Sequence, residues 1–197
     1  FAGGPTTAFG AATVPGWGAT ISSKGALIKK FDVLPTAVEF RTNFRIGRGV
    51  VGGRGVAGKH VFLRLESADG HVGWGATNTV PSWSYETVES VTATLQHHLC
   101  PLAMNRTPFE LNAIKKLMDQ TITNAVSNGA PFAKSALEIA LLDLAGQISG
   151  LAVHQMLGGR IHDTIELCYA LSIDEPEAMA EEARKYGIID EIIRGKA

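Results

Sequence analysis

The sequence predicts an α+β domain followed by the beginning of a strand–helix alternation. Strand-like segments lie between residues 27 and 75, and amphipathic helical segments follow them up to residue 149. After residue 160 the order changes to one strand-like segment and then one helix-like segment. Strands followed by helices are typical of α+β domains, whereas strand–helix alternation is typical of parallel sheets and barrels.

Composition indicates an ordinary globular chain. Its 197 residues are 45% hydrophobic and 19% charged, with a net charge of −1, so neither nucleic acid nor an anionic membrane surface is an expected partner. There is no run of about 18 apolar residues that would span a bilayer. Cys100 and Cys168 are too few for a disulfide scaffold and lack metal-ligand spacing. We therefore expect two buried thiols and a cytoplasmic location.

The first 24 residues are rich in Gly, Ala, Thr and Pro, without hydrophobic periodicity, and do not begin with Met. We assign residues 1–25 to a disordered leader. The alternative is the remnant of an export signal, which would make the protein exported. That alternative is disfavoured because no basic segment is present and glycines and prolines interrupt the apolar residues.

Residues 27–40 have the composition of a first strand, which is expected to end at Pro35. Residues 47–52 and 53–58 then each match G-x-G-x-x-G, the dinucleotide fingerprint. That fingerprint requires a helix to open within it, but the alternating strand of residues 60–66 follows instead. We therefore predict a mobile glycine-rich flap rather than a nucleotide site.

The next strand forms a hairpin. Val61, Leu63 and Leu65 alternate with polar residues, as in a half-buried strand, and Asp69-Gly70 is a favoured reversal. The return strand is predicted to be residues 71–75.

Three helices are predicted after the hairpin. The first begins with Ser84 as N-cap and Glu86 in its first turn. Adjacent His97 and His98 on this helix cannot face one metal ion, so we expect one exposed and one partly buried histidine. Residues 107–110 form a capping box with proline at the first helical position.

The third helix covers residues 131–149 and organises the rest of the chain. Pro131 suits its first turn, and Gly150 suits its end. The helix also carries an apolar stripe and a strip of small residues that would let another backbone lie close: Leu137, Leu141, Leu144 and Ile148, beside Ala133, Ala136 and Ala140.

The run AKSALEIALLDLA at residues 133–145, followed by Gly150 and Leu157-Gly158-Gly159, resembles the mandelate racemase/muconate lactonizing family of the enolase superfamily. Gly73-Trp74-Gly75 after the hairpin also resembles that family, although Ala76 stands where its members usually carry Glu. Residues 169–177, YALSIDEPE, look more like the muconate cycloisomerase and dipeptide epimerase subgroup than like the sugar-acid dehydratases.

The resemblance implies an α+β capping domain followed by the first one to two βα units of a (β/α) TIM-type barrel, truncated. Residues 26–130 would be the capping domain, and residues 131–197 the linker helix and the incomplete barrel. A first barrel strand at residues 165–171 leads to a helix with a capping box at Asp174 and Glu177 and a C-cap at Gly187. Residues 191–197 would begin a second strand. A closed barrel needs eight such units, typically about 250 residues.

The resemblance also implies a function. Family members remove the proton α to a carboxylate, and Mg²⁺ stabilises the enediolate. The ligands come from later barrel strands, so this chain is expected to supply no metal ligand. Lys196 corresponds to the first lysine of the family's Lys-x-Lys, with an ordinary surface lysine as the alternative. Expected substrate contacts lie on two capping loops, at Phe44, Ile46, Trp83 and Tyr85, although Trp83 and Tyr85 would alternatively only pack the second loop. Arg45, Arg48 and Arg54 would face a carboxylate or phosphate, with solvated surface arginines as the favoured alternative.

Two classes of function therefore compete. The chain is either the inactive N-terminal part of a cycloisomerase, racemase or epimerase that is a homo-oligomer at full length, or a non-catalytic protein that kept the capping fold for binding or assembly. A sugar-acid dehydratase is the alternative within the superfamily. Because a lone barrel strand leaves an open edge, we expect self-association through residues beyond 131 and better behaviour of a chain ending near Asn128.

Overall fold

The computed structural model describes residues 24–41, 44–47, 49–52, 57–81, 84–166, 170–171, 173–189 and 191. A three-stranded antiparallel sheet in the order β1-β4-β5 packs against helices, and β2 and β3 form a separate two-stranded sheet. The strands are β1 (Ile28–Glu39), β2 (Phe44–Ile46), β3 (Gly49–Gly52), β4 (Ala57–Ser67) and β5 (Val72–Asn78). The helices are α1 (Val88–Thr94), α2 (Cys100–Ala103), α3 (Leu111–Thr121), α4 (Pro131–Ser149), α5 (Val153–Met156) and α6 (Pro176–Lys185). This architecture is the predicted α+β fold.

Strand β1 does not end at Pro35, contrary to the prediction. It continues to Glu39, and Pro35 lies opposite Val61 of β4. Proline has no N–H to donate, but β1 is at the edge of the sheet and pairs only with β4 among the described strands. An edge strand directs half of its N–H groups away from its neighbour, so such a strand tolerates proline at those positions.

The predicted β4–β5 hairpin is confirmed. Val61, Leu63 and Leu65 are fully buried, and Gly70 adopts a φ of 89° in the turn. The Asp69 carboxylate accepts a hydrogen bond from the Ser67 hydroxyl at 2.5 Å. It also lies 3.1 Å from Nδ1 of His71. Both bonds lower the pKa of Asp69 below its ordinary value, and the bond from Ser67 has the larger effect.

The first helix starts later than predicted. Thr87, not Ser84, is the N-cap of α1, because its hydroxyl accepts from the Ser90 N–H while the Ser90 side chain accepts from the Thr87 N–H. The capping box predicted before α3 is confirmed: Glu110 accepts from the Thr107 N–H at 3.1 Å, and the first turn is a 3₁₀ turn.

A π-helical turn, Leu95–Leu99, separates α1 from α2. His97 and His98 lie in this turn, and both are exposed, which corrects the expectation that one would be partly buried. Directly after it, Cys100 is buried as predicted, and burial raises the pKa of its thiol to about 12. Cys168 lies outside the described residues.

Helix α4 has the predicted bounds, with Pro131 at its first position and Gly150 ending it at a φ of 69°. It lies directly on β5. A Cβ added at Gly75 would overlap the carbonyl oxygen of Ala136, and one at Gly73 would overlap the backbone of Ala140 and Leu144. The predicted close approach of another backbone to the small-residue strip is therefore confirmed at Ala136 and Ala140.

The same helix supplies a large part of the core and a polar tie to the sheet. Asp143 accepts a hydrogen bond from the backbone N–H of Trp74 at 2.7 Å. Because α4 shares one core with the sheet and α1–α3, a chain ending near Asn128 would lose part of that core, which argues against the better behaviour expected of it. The fully or almost fully buried α4 residues are Ala133, Ala136, Leu137, Ala140, Leu141, Leu144 and Ala145.

The segment after α5 departs from the prediction. Its described residues at 165, 166, 170 and 171 are not in a strand, and 167–169 lie outside the described part. Helix α6 is present and Gly187 ends it with a φ of 69°, as predicted. The capping box at Asp174 and Glu177 is not formed: Glu175 is the N-cap without a side-chain cap, and its N–H donates to Asp174 at 2.9 Å.

Replacing Gly75 with Ala should lower the free energy of unfolding by about 1–3 kcal/mol or more, because the added methyl group must push α4 off the sheet. Gly47→Ala is the matched control, since a Cβ at Gly47 meets no atom within 4 Å. Urea unfolding followed by circular dichroism measures both variants. Equal midpoints for the two would contradict the close packing of α4 on β5.

The Asp69 turn should make stability depend on pH below about 4. The folded pKa of Asp69 lies below the unfolded value of about 3.9, so its stabilising contribution is complete above that value and disappears as the pH falls through the folded pKa. We expect Asp69→Asn to lower the urea midpoint at pH 6 and the difference from the parent to shrink towards pH 2.5. The exposed Glu39→Gln serves as control, and a pH-independent difference would rule out this carboxylate as the cause.

Candidate functional site

The glycine-rich segment predicted as a flap contains the β2–β3 hairpin. Arg45 lies opposite Val50 and Ile46 opposite Gly49, whose φ of 119° is a conformation that favours glycine. Phe44 and Ile46 are half-buried, and Arg45 is exposed. Strand β4 rather than a helix follows the segment, which agrees with the rejection of a dinucleotide site.

This hairpin contacts the segment that follows the predicted first barrel strand. The backbone N–H of Ile173 donates to the carbonyl oxygen of Arg45 at 3.0 Å. A cavity of about 740 Å³ lies between the hairpin and α6. Its lining combines two cationic side chains with three carboxylates: Arg45, Val50, Ile173, Asp174, Ala178, Glu181, Glu182 and Lys185. The cavity is therefore suited to polar, charged groups.

Tyr85 lines a different cavity, of about 560 Å³, at the N-terminus of α4. Its side chain is 53% exposed, and the lining shares no residue with the cavity beside Arg45: it consists of Pro81, Ser84, Tyr85, Glu86, Asn128, Pro131 and Phe132. Of the predicted contact residues in the described part of the chain, Arg45 and Tyr85 thus line separate cavities, whereas Phe44 and Ile46 line neither of these two.

Glu86 has a role that the sequence did not reveal. It is only 4% exposed, and its carboxylate accepts from the N–H of Phe132 at 2.8 Å and of Ala133 at 3.3 Å. It therefore caps α4. The prediction that Glu86 lies in the first turn of α1 is wrong. One signal was available: residues 127–130, Ser-Asn-Gly-Ala, provide no capping side chain next to Pro131, so the cap had to come from elsewhere.

The other candidate residues lie outside the described part of the chain. These are Trp83 of the second capping loop, Arg48 and Arg54 of the flap, and Lys196. Their roles remain predictions.

No group of three or more His, Cys, Asp or Glu side chains in the described residues has a geometry that could hold a metal ion. The described side chains therefore fit no Mg²⁺ site. None of the helices in the same residues combines the length and apolarity that crossing a membrane requires.

A protein-family model described as the mandelate racemase / muconate lactonizing enzyme, N-terminal domain, matches residues 38–158. The match includes the hairpins, α1–α5 and the close contact of α4 with β5. The chain belongs to this family. Its capping domain is accordingly that of the mandelate racemase/muconate lactonizing enzymes of the enolase superfamily.

Relatives within the family have several activities. An N-succinyl-L-Arg/Lys racemase from Bacillus cereus is 35% identical over 123 residues, which are 62% of this chain and 32% of the relative. A chloromuconate cycloisomerase from Cupriavidus pinatubonensis is 34% identical over 126 residues, 62% of this chain and 32% of the relative. The chain thus spans about a third of the length of these curated relatives.

Solved structures of the family share the fold. The crystal structure of an N-succinyl Arg/Lys racemase from Bacillus cereus matches with a TM-score of 0.73 and 30% identity, covering 82% of this chain and 42% of that one. A dipeptide epimerase from Enterococcus faecalis, complexed with Mg and the dipeptide L-Leu-L-Tyr, matches with a TM-score of 0.71 and 27% identity, covering 83% of this chain and 43% of that one.

Proposed function

We propose that this chain is the N-terminal part of a Mg²⁺-dependent racemase, epimerase or cycloisomerase that removes the proton α to a carboxylate. The observation that carries the proposal is the hydrogen bond from Ile173 to Arg45, because it holds the β2–β3 hairpin beside the segment that follows the proposed first barrel strand. In barrel enzymes the active site lies at the carboxyl ends of the strands. In this proposal the hairpin lies over that end of the barrel, where it would cover a substrate.

In this proposal the two capping loops bind and enclose a small carboxylate substrate. Phe44 and Ile46 of the hairpin and Trp83 and Tyr85 of the second loop are the proposed contacts. Aromatic and apolar side chains around a charged substrate exclude water, which strengthens the electrostatic interactions that stabilise an enediolate.

Mg²⁺ would supply the positive charge that stabilises the enediolate when the full-length enzyme binds it. A solved dipeptide epimerase with the same capping fold is complexed with Mg, which supports this cofactor. The described residues fit no metal site, so the ligands would belong to the remainder of the barrel. Lys196 would be the first lysine of the family's Lys-x-Lys, and the proposed base would be the second.

The proposed organisation keeps residues 26–130 as the capping domain and residues 131–197 as the linker helix and beginning of the barrel. The full-length protein is proposed to be a cytoplasmic homo-oligomer. The racemase and cycloisomerase relatives favour this class of reaction over a sugar-acid dehydratase.

The 197-residue chain should show no racemase, epimerase or cycloisomerase turnover, with or without Mg²⁺, because it supplies neither a described metal site nor a complete Lys-x-Lys. Exchange of the substrate α-proton, followed by NMR in deuterated buffer with an L-Ala-containing dipeptide and with N-succinyl-arginine, measures this. A longer chain that continues through the barrel is the positive control. Exchange by the 197-residue chain above the buffer blank would overturn the assignment of the base and metal site to later strands.

The 197-residue chain should also self-associate, because apolar side chains beyond α5 are exposed where the barrel would cover them. Ile161 is 92% exposed and Ile165 is 84% exposed. A chain ending at residue 159 retains the whole core and should stay monomeric and folded, whereas one ending at residue 128 loses α4 and should unfold. Light scattering and thermal melts at matched concentrations compare the three chains, which end at residues 128, 159 and 197. A monodisperse 197-residue chain would contradict the exposure of these residues in solution.

A further inference from the structure

The buried carboxylate of Glu86 joins two segments that are 46 residues apart in sequence. We propose that Glu86 is a positioning residue: by binding the N-terminus of α4 it fixes residues 84–87 of the second capping loop, and with them the orientation of Tyr85. The contact of Tyr85 with substrate rests on the proposed function, but the positioning itself does not.

The N-terminus of α4 needs an acceptor from outside the helix. Ala130, its N-cap, adopts a left-handed conformation with a φ of 53° and has no side chain that could cap. Helix N-termini leave N–H groups without intrahelical partners and carry partial positive charge. Each Glu86 oxygen takes one of these groups, Oε1 from Phe132 and Oε2 from Ala133. A carboxylate in two charge-assisted bonds is a far more restrictive anchor than a neutral cap.

Two hydrogen bonds stay inside the loop: Ser84 donates its N–H to Val80 at 2.9 Å, and its hydroxyl lies 3.4 Å from the carbonyl oxygen of Glu86. Thr87 caps the adjoining α1. The Glu86 carboxylate ties the loop to α4, which lies far away in sequence. Tyr85 is the adjacent residue and is 53% exposed at the cavity, whereas Glu86 is 4% exposed. With Glu86 held inward, the chain connectivity directs Tyr85 outward over Pro131 and Phe132, which line the same cavity.

Three variants of the 197-residue chain test the proposal. Glu86→Ala removes both acceptor oxygens, Glu86→Gln keeps one of them, and Glu39→Gln is the control, because Glu39 is exposed at the end of β1 and lies outside the loop. Two quantities are measured without substrate: the hydrogen exchange rates of the Phe132 and Ala133 amides, and the ¹⁹F resonance of Tyr85 in protein labelled with 3-fluorotyrosine. The chain has three tyrosines, and each resonance is assigned by a Tyr→Phe variant.

Glu86→Ala should accelerate exchange of both amides about tenfold or more and move the Tyr85 resonance towards that of free fluorotyrosine. The Tyr186 resonance should stay in place. For Glu86→Gln, the amide exchange rates and the Tyr85 resonance should be intermediate between those of the parent and Glu86→Ala. If Glu86→Ala does not fold, the comparison of Glu86→Gln with the parent tests the proposal. Glu39→Gln should match the parent.

Two results would overturn the proposal. If exchange accelerates while the Tyr85 resonance keeps its parent position, Glu86 is only a helix cap and does not position the loop. If Glu86→Gln leaves both measurements at parent values, the carboxylate is not the anchor. Neither result bears on α-proton abstraction, which is measured separately by deuterium exchange into substrate.

Discussion

Helix α4 lies so close to β5 that the contact permits no side chain at Gly73 and Gly75. Backbone meets backbone there, with Ala136 and Ala140 on the helical side. This approach brings the neighbouring leucines of α4 down to the sheet, where they share a core with Val61, Leu63 and Leu65. Interiors are packed nearly as densely as organic crystals, so a methyl group at this contact affects the whole layer. The sheet and the helices therefore depend on one small-residue contact.

The surface polar contacts of α4 fix its register rather than supply much stability. Lys115 of α3 pairs with Glu138 at 2.7 Å, and Lys134 reaches Asp119 at 2.8 Å and the carbonyl oxygen of Ile122 at 2.7 Å. The Lys115–Glu138 pair is partly exposed, and surface pairs contribute about 0–1 kcal/mol. The Lys134 side chain is more buried, at 15% exposure. These pairs orient α3 alongside α4, whereas the packing of the core sets the distance between the two helices.

The two capping loops are held in different ways. The β2–β3 hairpin meets the segment before α6 through a backbone hydrogen bond from Ile173 to Arg45, whereas the second loop is tied to α4 through the buried Glu86 carboxylate. A single neutral backbone bond contributes about 0.5–1.5 kcal/mol, and bonds to a charged group contribute about twice that.

By itself the sequence determined the features that depend on near neighbours. The reversal at Asp69-Gly70, the capping box at Thr107 and Glu110, and the two ends of α4 are each set by residues within one turn of each other. The run at residues 133–145 also carries the family resemblance, and its helical spacing of small and apolar residues predicts the helix. These signals predicted the class of fold and the helix that organises it.

Only the tertiary structure decided where distant segments meet. Pro35 continues a strand because β1 is at the sheet edge, and Glu86 caps a helix 46 residues away. The segment at residues 165–171 has strand-like alternation, yet its described residues pair with no neighbouring strand. The physical reason is the same in all three cases: an edge, a buried carboxylate and a strand are defined by the groups that lie beside them. Local sequence carries no information about those groups.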